Sequence, residues 1–169
     1  MKKKTRWAIG RICRSIATLS SIGYLPAPGT FGTLAAIIFL GFARFLSYRI
    51  GISPLAITLL VMVAAFWLIK GALIAFPGDN DPQEIVLDEV AGFFVAMYVF
   101  PFKPVYIISA FLIFRFLDIA KPLGIDLLQG LPGAWGVMAD DIAAGVGTIF
   151  FVSWIVYALQ LFGIGGGLL

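Results

Sequence analysis

Residues 142–162 pass without a single charge. A run that long and that apolar has a natural home as a helix crossing a hydrocarbon layer about 30 Å thick, which takes roughly 20 apolar residues. Four more apolar runs precede it, at 31–46, 55–69 with an extension toward 76, 85–100 and 105–117. The 169-residue chain is 61% hydrophobic and 12% charged with a mean hydropathy of +1.03, against about 25% charged residues in soluble domains. The expected fold is therefore all-α, a polytopic membrane helix bundle of about five spans or half-spans with an N-terminal interfacial helix. Three regions follow: a basic interfacial segment at 1–22, a single membrane-embedded domain at 23–162, and a glycine-rich tail at 163–169 to which no chemistry is assigned.

The breaks are set by proline and charge. Residues 1–22 begin like a signal peptide, but Arg11 and Arg14 interrupt the apolar core that one requires. The segment reads as a helix lying on the membrane with Trp7, Ile12, Ile16 and Leu19 toward lipid. Pro26 and Pro28 interrupt the chain before the 31–46 run, which is short for a span unless it begins inside the Gly-Thr segment. Pro54 suits the first turn of the next helix, and Lys70 near its end would snorkel to the interface. Residues 77–84 are turn-like. The third helix carries Asp88 and Glu89 in its first turns, and Pro101 and Pro104 end it. The third and fourth runs are short, so that hairpin sits shallow or tilted. Five spans threaded from a cytoplasmic N-terminus put Arg44, Arg49 and Lys103 outside and the other nine of the 12 basic residues inside, as the positive-inside rule requires. The same threading brings 26–33, 79–89 and 118–141 to one face.

Net charge is +3, with six basic residues by position 14 and all nine acids between Asp79 and Asp141. The basic cluster fits topology and anionic lipid headgroups better than nucleic acid. One cysteine, Cys13, excludes an intrachain disulfide and a cysteine-based metal site, and the absence of histidine excludes histidine general-base or phosphohistidine chemistry. The acids need another account. A carboxylate at the bilayer centre costs about 2.5–3.5 kcal/mol, and two of them about 4 Å apart repel by around 4 kcal/mol at an effective dielectric of 20. A divalent cation removes both penalties, and oxygen-only ligands point to Mg²⁺, with Mn²⁺ as the alternative. Helical spacing would put Asp81, Glu84 and Asp88 on one face with Glu89 a step round, while Asp140 and Asp141 open the last span. The competing reading is that each acid complements a helix N-terminus.

Gly29, Thr30, Gly32 and Thr33 stand at the start of a helix, where backbone N–H groups and hydroxyls suit a phosphate. A helix cap with a close-packing glycine explains them equally, and the Gly-Lys-Ser/Thr ending of a Walker loop is absent. Arg115 and Lys121 are counterions either for a phosphate or for Asp118.

Four ordered motifs carry a resemblance: P-A-P-G-T-F-G-T-L at 26–34, I-V-L-D-E-V-A-G at 85–92, F-R-F-L-D-I-A-K-P at 114–122 and G-A-W-G-V-M-A-D-D-I-A-A-G at 133–145. Together they resemble the phosphatidylglycerophosphatase A family of bacterial inner-membrane lipid phosphatases. The chain departs from the family pattern at Ala134 and Gly124, both in the glycine-rich loop. The resemblance implies Mg²⁺-dependent hydrolysis of phosphatidylglycerol phosphate to phosphatidylglycerol and phosphate at the cytoplasmic leaflet. Motif positions carry over Asp81, Asp88, Glu89, Asp118, Lys121, Asp140 and Asp141. Asp81, Asp88, Glu89, Asp140 and Asp141 are the expected metal ligands. Lys121, Arg115 and the 29–33 amides are expected on the phosphate, with Asp118 as ligand, base or nucleophile. The rivals are a CDP-alcohol headgroup transferase, whose D-G-x-x-A-R signature is missing, and a small cation transporter, which would spread its acids along the spans. Oligomeric state is not fixed by the sequence.

Overall fold

A computed structural model describes residues 3–79 and 81–162. Lys2 of the basic cluster and the tail at 163–169 lie outside the described residues. The described chain is all-helical: α1 (Lys3–Ala17), α2 (Pro28–Ile50), α3 (Pro54–Ala72), α4 (Leu87–Met97), α5 (Pro104–Ala120) and α6 (Ala134–Leu161), with 3₁₀ turns at Ile22–Tyr24, Leu73–Ala75 and Pro122–Gly130. Three stretches, Pro28–Ile50, Pro54–Ala75 and Ala134–Leu161, are long and apolar enough to cross a membrane. Their outward faces carry exposed Ile38, Phe42, Leu60, Trp67, Phe150 and Trp154, as expected where lipid is the solvent.

Local chemistry sets the ends of these helices. α2 and α3 each begin with proline in the first turn, where its missing N–H costs nothing. The Ser53 hydroxyl caps α3 by accepting from the Ala56 N–H at 3.2 Å. Gly51, left-handed at φ 70°, closes α2. α2 starts at Pro28, so the Gly-Thr segment is its first turn and the helix reaches 23 residues. That settles the short 31–46 run as part of a full-length helix.

α4 is the surprise. It has 11 residues, nearly all of them buried, about 16 Å of helix. It is the central strut, packed by α2, α3, α5 and α6. Phe93, Phe94, Ala96 and Met97 join Leu40, Tyr106, Phe114 and Val152 in the main core. At its C-terminus the Arg44 guanidinium donates to the carbonyls of Met97 (2.6 Å), Phe100 (3.0 Å) and Tyr98 (3.2 Å), answering the orphan acceptors of the helix end.

α1 docks against α3, with Gly10 against Ile74 and Cys13 against Gly71. Trp7, Ile12 and Ile16 are exposed as expected, but Leu19 is turned inward to pack on the core. The left-handed backbone at Leu19 and Ser20 reverses the chain there. Asp81 and Glu84 do not continue α4: residues 81–86 are extended and turn-like, and helix begins at Leu87. The Val86 N–H donates instead to Ala17 O at 3.0 Å, and Gly23 sits so close to Glu84 O that a Cβ would overlap it. The shared helical face of Asp81, Glu84 and Asp88 is thereby corrected.

The closest helix pair is α4 with α6. A Cβ on Gly92 would lie 2.6 Å from Asp141 O, and one on Gly145 would overlap Gly92 O. Backbone touches backbone, which only small residues permit. Gly145→Val is expected to cost about 2 kcal/mol or more through overpacking, seen as a lower unfolding midpoint in detergent. Gly130→Ala, whose Cβ meets open space, is expected to stay within about 0.5 kcal/mol of wild type.

Candidate active site

The N-termini of α2, α4 and α6 and the C-terminus of α5 converge on one end of the bundle around a cleft of about 290 Å³. Its lining includes Gly29, Asp81, Gln83, Asp88, Glu89, Arg115, Asp118, Lys121, Gln129, Asp140 and Asp141. α4 supplies Asp88 and Glu89 from its first turn. α6 supplies Asp140 and Asp141 from its second turn, because it starts at Ala134. This corrects the expectation that the aspartates open the last span from a glycine-rich loop: residues 134–141 are helix, and Gly133, at φ 60°, is its cap. A first-turn helix-end role, which explains such acids elsewhere, does not account for Asp140 and Asp141.

One carboxylate oxygen each from Asp88, Glu89 and Asp141 lies within 4.8 Å of the others. Asp88 and Asp141 are buried, and Glu89 is half-buried. Glu89 Oε2, Asp140 Oδ1 and Asp141 Oδ1 are buried oxygens with no hydrogen-bond partner. Buried acceptors are almost always satisfied; two unsatisfied ones within this cluster of all-oxygen donors, and a third on the neighbouring Asp140, fit a hard cation. Asp140 stands beside this group and accepts from Lys121 Nζ at 2.6 Å. Burial alone pulls Lys121 down, but its hydrogen bond to Asp140 and the charges of Asp140, Asp118 and Asp141 outweigh that and hold it above its ordinary value. Lys121 therefore stays an ammonium ion through neutral pH.

Arg115 is ion-paired with Asp118 one turn on along α5. Its guanidinium and Glu89 press against the backbone of Gly29, where a Cβ would overlap Glu89 Oε1 and lie 2.8 Å from Arg115 Nη1. Two non-glycine residues bordering the cleft, Ala27 (φ 59°) and Lys121 (φ 43°), are left-handed, a strain of about 1–3 kcal/mol each that clusters at functional sites.

Of the 29–33 segment, Gly29 lines the cleft. Gly32 packs on Val86, and the buried Thr33 hydroxyl donates back to Gly29 O at 2.8 Å. Thr30 is half-buried outside the lining. Asp81 is at the rim, away from the three-carboxylate group, and accepts from Gln129 Nε2 at 3.0 Å. Gln83 and Gln129 were not anticipated. Neutral amides in a loop and a 3₁₀ turn leave no periodic or charge signal in a sequence. The acids of the cleft gather at one end, and α2 and α3 contain none, which disfavours an ion path along the spans.

The sequence profile of phosphatidylglycerophosphatase A matches residues 15–156. A Bacteroides thetaiotaomicron protein, provisionally named a phosphatidylinositol-3-phosphatase, is 33% identical over 83% of this chain and 93% of its own. The phosphatidylglycerophosphatase A of Haemophilus influenzae is 33% identical over 80% of both chains. That of Escherichia coli is 32% identical over 74% of this chain and 73% of its own. No solved structure matches the chain.

Crowding three ionised carboxylates, two buried and one half-buried, destabilises the fold unless a cation or a proton offsets it. In chelator at mildly alkaline pH, Asp141→Asn is expected to raise the unfolding midpoint in detergent, with a gain of up to about 4 kcal/mol from relieved repulsion. A lower midpoint would show that the carboxylates do not oppose one another.

Proposed function

The chain belongs to the phosphatidylglycerophosphatase A family, and from that premise we propose that its cleft hydrolyses phosphatidylglycerol phosphate to phosphatidylglycerol and phosphate with Mg²⁺, as a step of glycerophospholipid biosynthesis. That it is a lipid phosphatase and a membrane-associated, multi-pass protein follows from the family and the apolar helices. The observation that carries the finer reading is the pairing of three carboxylates within 4.8 Å with two flanking cations, Arg115 and Lys121, in one cleft.

Asp88, Glu89 and Asp141 would hold the metal, with Asp140 alongside. When bound, Mg²⁺ supplies positive charge against the phosphate oxygens and makes a water molecule more acidic. Mn²⁺ would bind the same donors. Lys121 and Arg115 meet the remaining phosphate oxygens, and the cleft residues hold the group in place for attack. Asp118 accepts the proton of the attacking water. As the new P–O bond forms, the P–O bond to the headgroup glycerol breaks, and the departing glycerol oxygen takes a proton from solvent at the cleft mouth. Gly29 lets Glu89 and Arg115 approach the start of α2.

The charge distribution supports a membrane placement. Arg44, Arg49 and Lys103 belong to the end of the bundle away from the cleft, and the other basic residues to the cleft end or the N-terminal segment. The positive-inside rule then supports a cytoplasmic active site in the bacterial inner membrane.

Purified protein is expected to release phosphate from phosphatidylglycerol phosphate with Mg²⁺ and to stop in chelator. Asp88→Asn and Asp141→Asn are each expected to lower the rate about 100-fold or more, with membrane insertion retained. Phosphatidylinositol 3-phosphate assayed in parallel tests the substrate: faster release from it would overturn the assignment to phosphatidylglycerol phosphate.

A further inference from the structure

A cleft that admits a phosphate monoester would be expected to have a basic rim. The rim here is a carboxylate and two amides, Asp81, Gln83 and Gln129. Asp81 and Gln129 are exposed, whereas the carboxylate group and the two cations lie deeper. Gln129 Nε2 donates to Asp81 Oδ2 at 3.0 Å, joining the 81–86 segment to the 3₁₀ turn Pro122–Gly130 across the opening.

The backbones of both partners are held in place. The Gln129 backbone carbonyl rests against Gly136 of α6, where a Cβ would lie 2.8 Å away. The Asp81 N–H donates to Asp79 Oδ1 at 3.0 Å, and Pro82 behind it is fully buried. Each keeps unused capacity: the amide has a second N–H and its own oxygen, and the carboxylate has further lone pairs. A donor and an acceptor side by side match a hydroxyl, which gives one hydrogen bond and accepts another.

We propose that Gln129 and Asp81 form a hydroxyl-reading site that selects the headgroup, binding the free hydroxyl on the glycerol carbon next to the phosphate-bearing carbon. The proposal rests on phosphatidylglycerol phosphate as substrate. With its phosphate among the deep carboxylates and cations, the next polar group along the headgroup is that hydroxyl, and the rim pair is the next polar feature outward. Gln129 accepts or donates according to the orientation of its amide, and Asp81 accepts the hydroxyl proton without becoming protonated. Neither residue touches the reacting phosphorus, so both act on specificity.

The test compares phosphatidylglycerol phosphate with an analogue whose headgroup is 1,3-propanediol phosphate, lacking that one hydroxyl. Wild-type protein is expected to favour the natural lipid about 10-fold in kcat/KM, the worth of one good hydrogen bond. Gln129→Leu is expected to lower the natural lipid toward the level of the analogue and to shrink the preference for it, with a smaller effect on the analogue. Equal turnover of both lipids by wild-type protein would overturn the proposal, and that comparison needs no variant. An equal loss on both lipids in Gln129→Leu would overturn it as well. Turnover of neither lipid would remove the substrate reading itself, and this inference with it.

Discussion

The contact between Gly92 and Gly145 is the constraint on which the site depends. Aspartate and glutamate side chains reach only a few ångströms. Carboxylates from two helices can share one small volume only if the helix backbones nearly touch. At this crossing Gly145 meets Gly92 O, and Gly92 meets the backbone of Asp141. Each glycine inside a helix gives up about 1 kcal/mol relative to alanine. Helix propensity is thus exchanged for proximity, and the exchange fixes Asp88 and Glu89 against Asp141. The same principle recurs at Gly29, whose missing side chain leaves room for Glu89 and Arg115.

The two ends of α4 show what the bundle satisfies and what it leaves open. At the C-terminus Arg44 fills three backbone acceptors from across the bundle. At the N-terminus carboxylate oxygens are buried without partners, and left-handed Ala27 and Lys121 stand nearby. A fold able to complete one end of a helix so fully has the means to complete the other. The unsatisfied oxygens and the strain sit together at the cleft, and that coincidence supports the proposed site over an imperfection of packing.

Much of this was legible in the sequence. The apolar runs gave the helices, because a bilayer leaves few other folds, and the confinement of acids to 79–141 gave the cleft end. Asp88, Glu89 and Asp141 were readable as chemistry because nothing nearby in the sequence could neutralise them. The boundaries were less readable. α6 begins eight residues before its apolar run, since a buried helix tolerates Asp140 and Asp141 when a cleft receives them. The central place of α4 was hidden for a related reason: its shortness spoke to how shallow or tilted its hairpin sits, and nothing in that length says that four other helices enclose it. Nor do Gln129 and Gly92 announce themselves, since their roles depend on what lies across from them in space.

Charge within the cleft carries the synthesis furthest. Six carboxylates, Asp81, Asp88, Glu89, Asp118, Asp140 and Asp141, face two cations, Arg115 and Lys121. Both cations are already engaged, with Asp118 and Asp140. A phosphate monoester is itself an anion, so this cleft without further positive charge repels the very group it is shaped to receive. Under the proposed chemistry cation and substrate would therefore bind cooperatively: the cation would remove the repulsion that opposes the phosphate, and the phosphate would favour the cation in turn. By linkage each strengthens the other by the same factor. The two ion pairs fit that scheme, because they keep Arg115 and Lys121 oriented at the wall until phosphate oxygens compete for their protons.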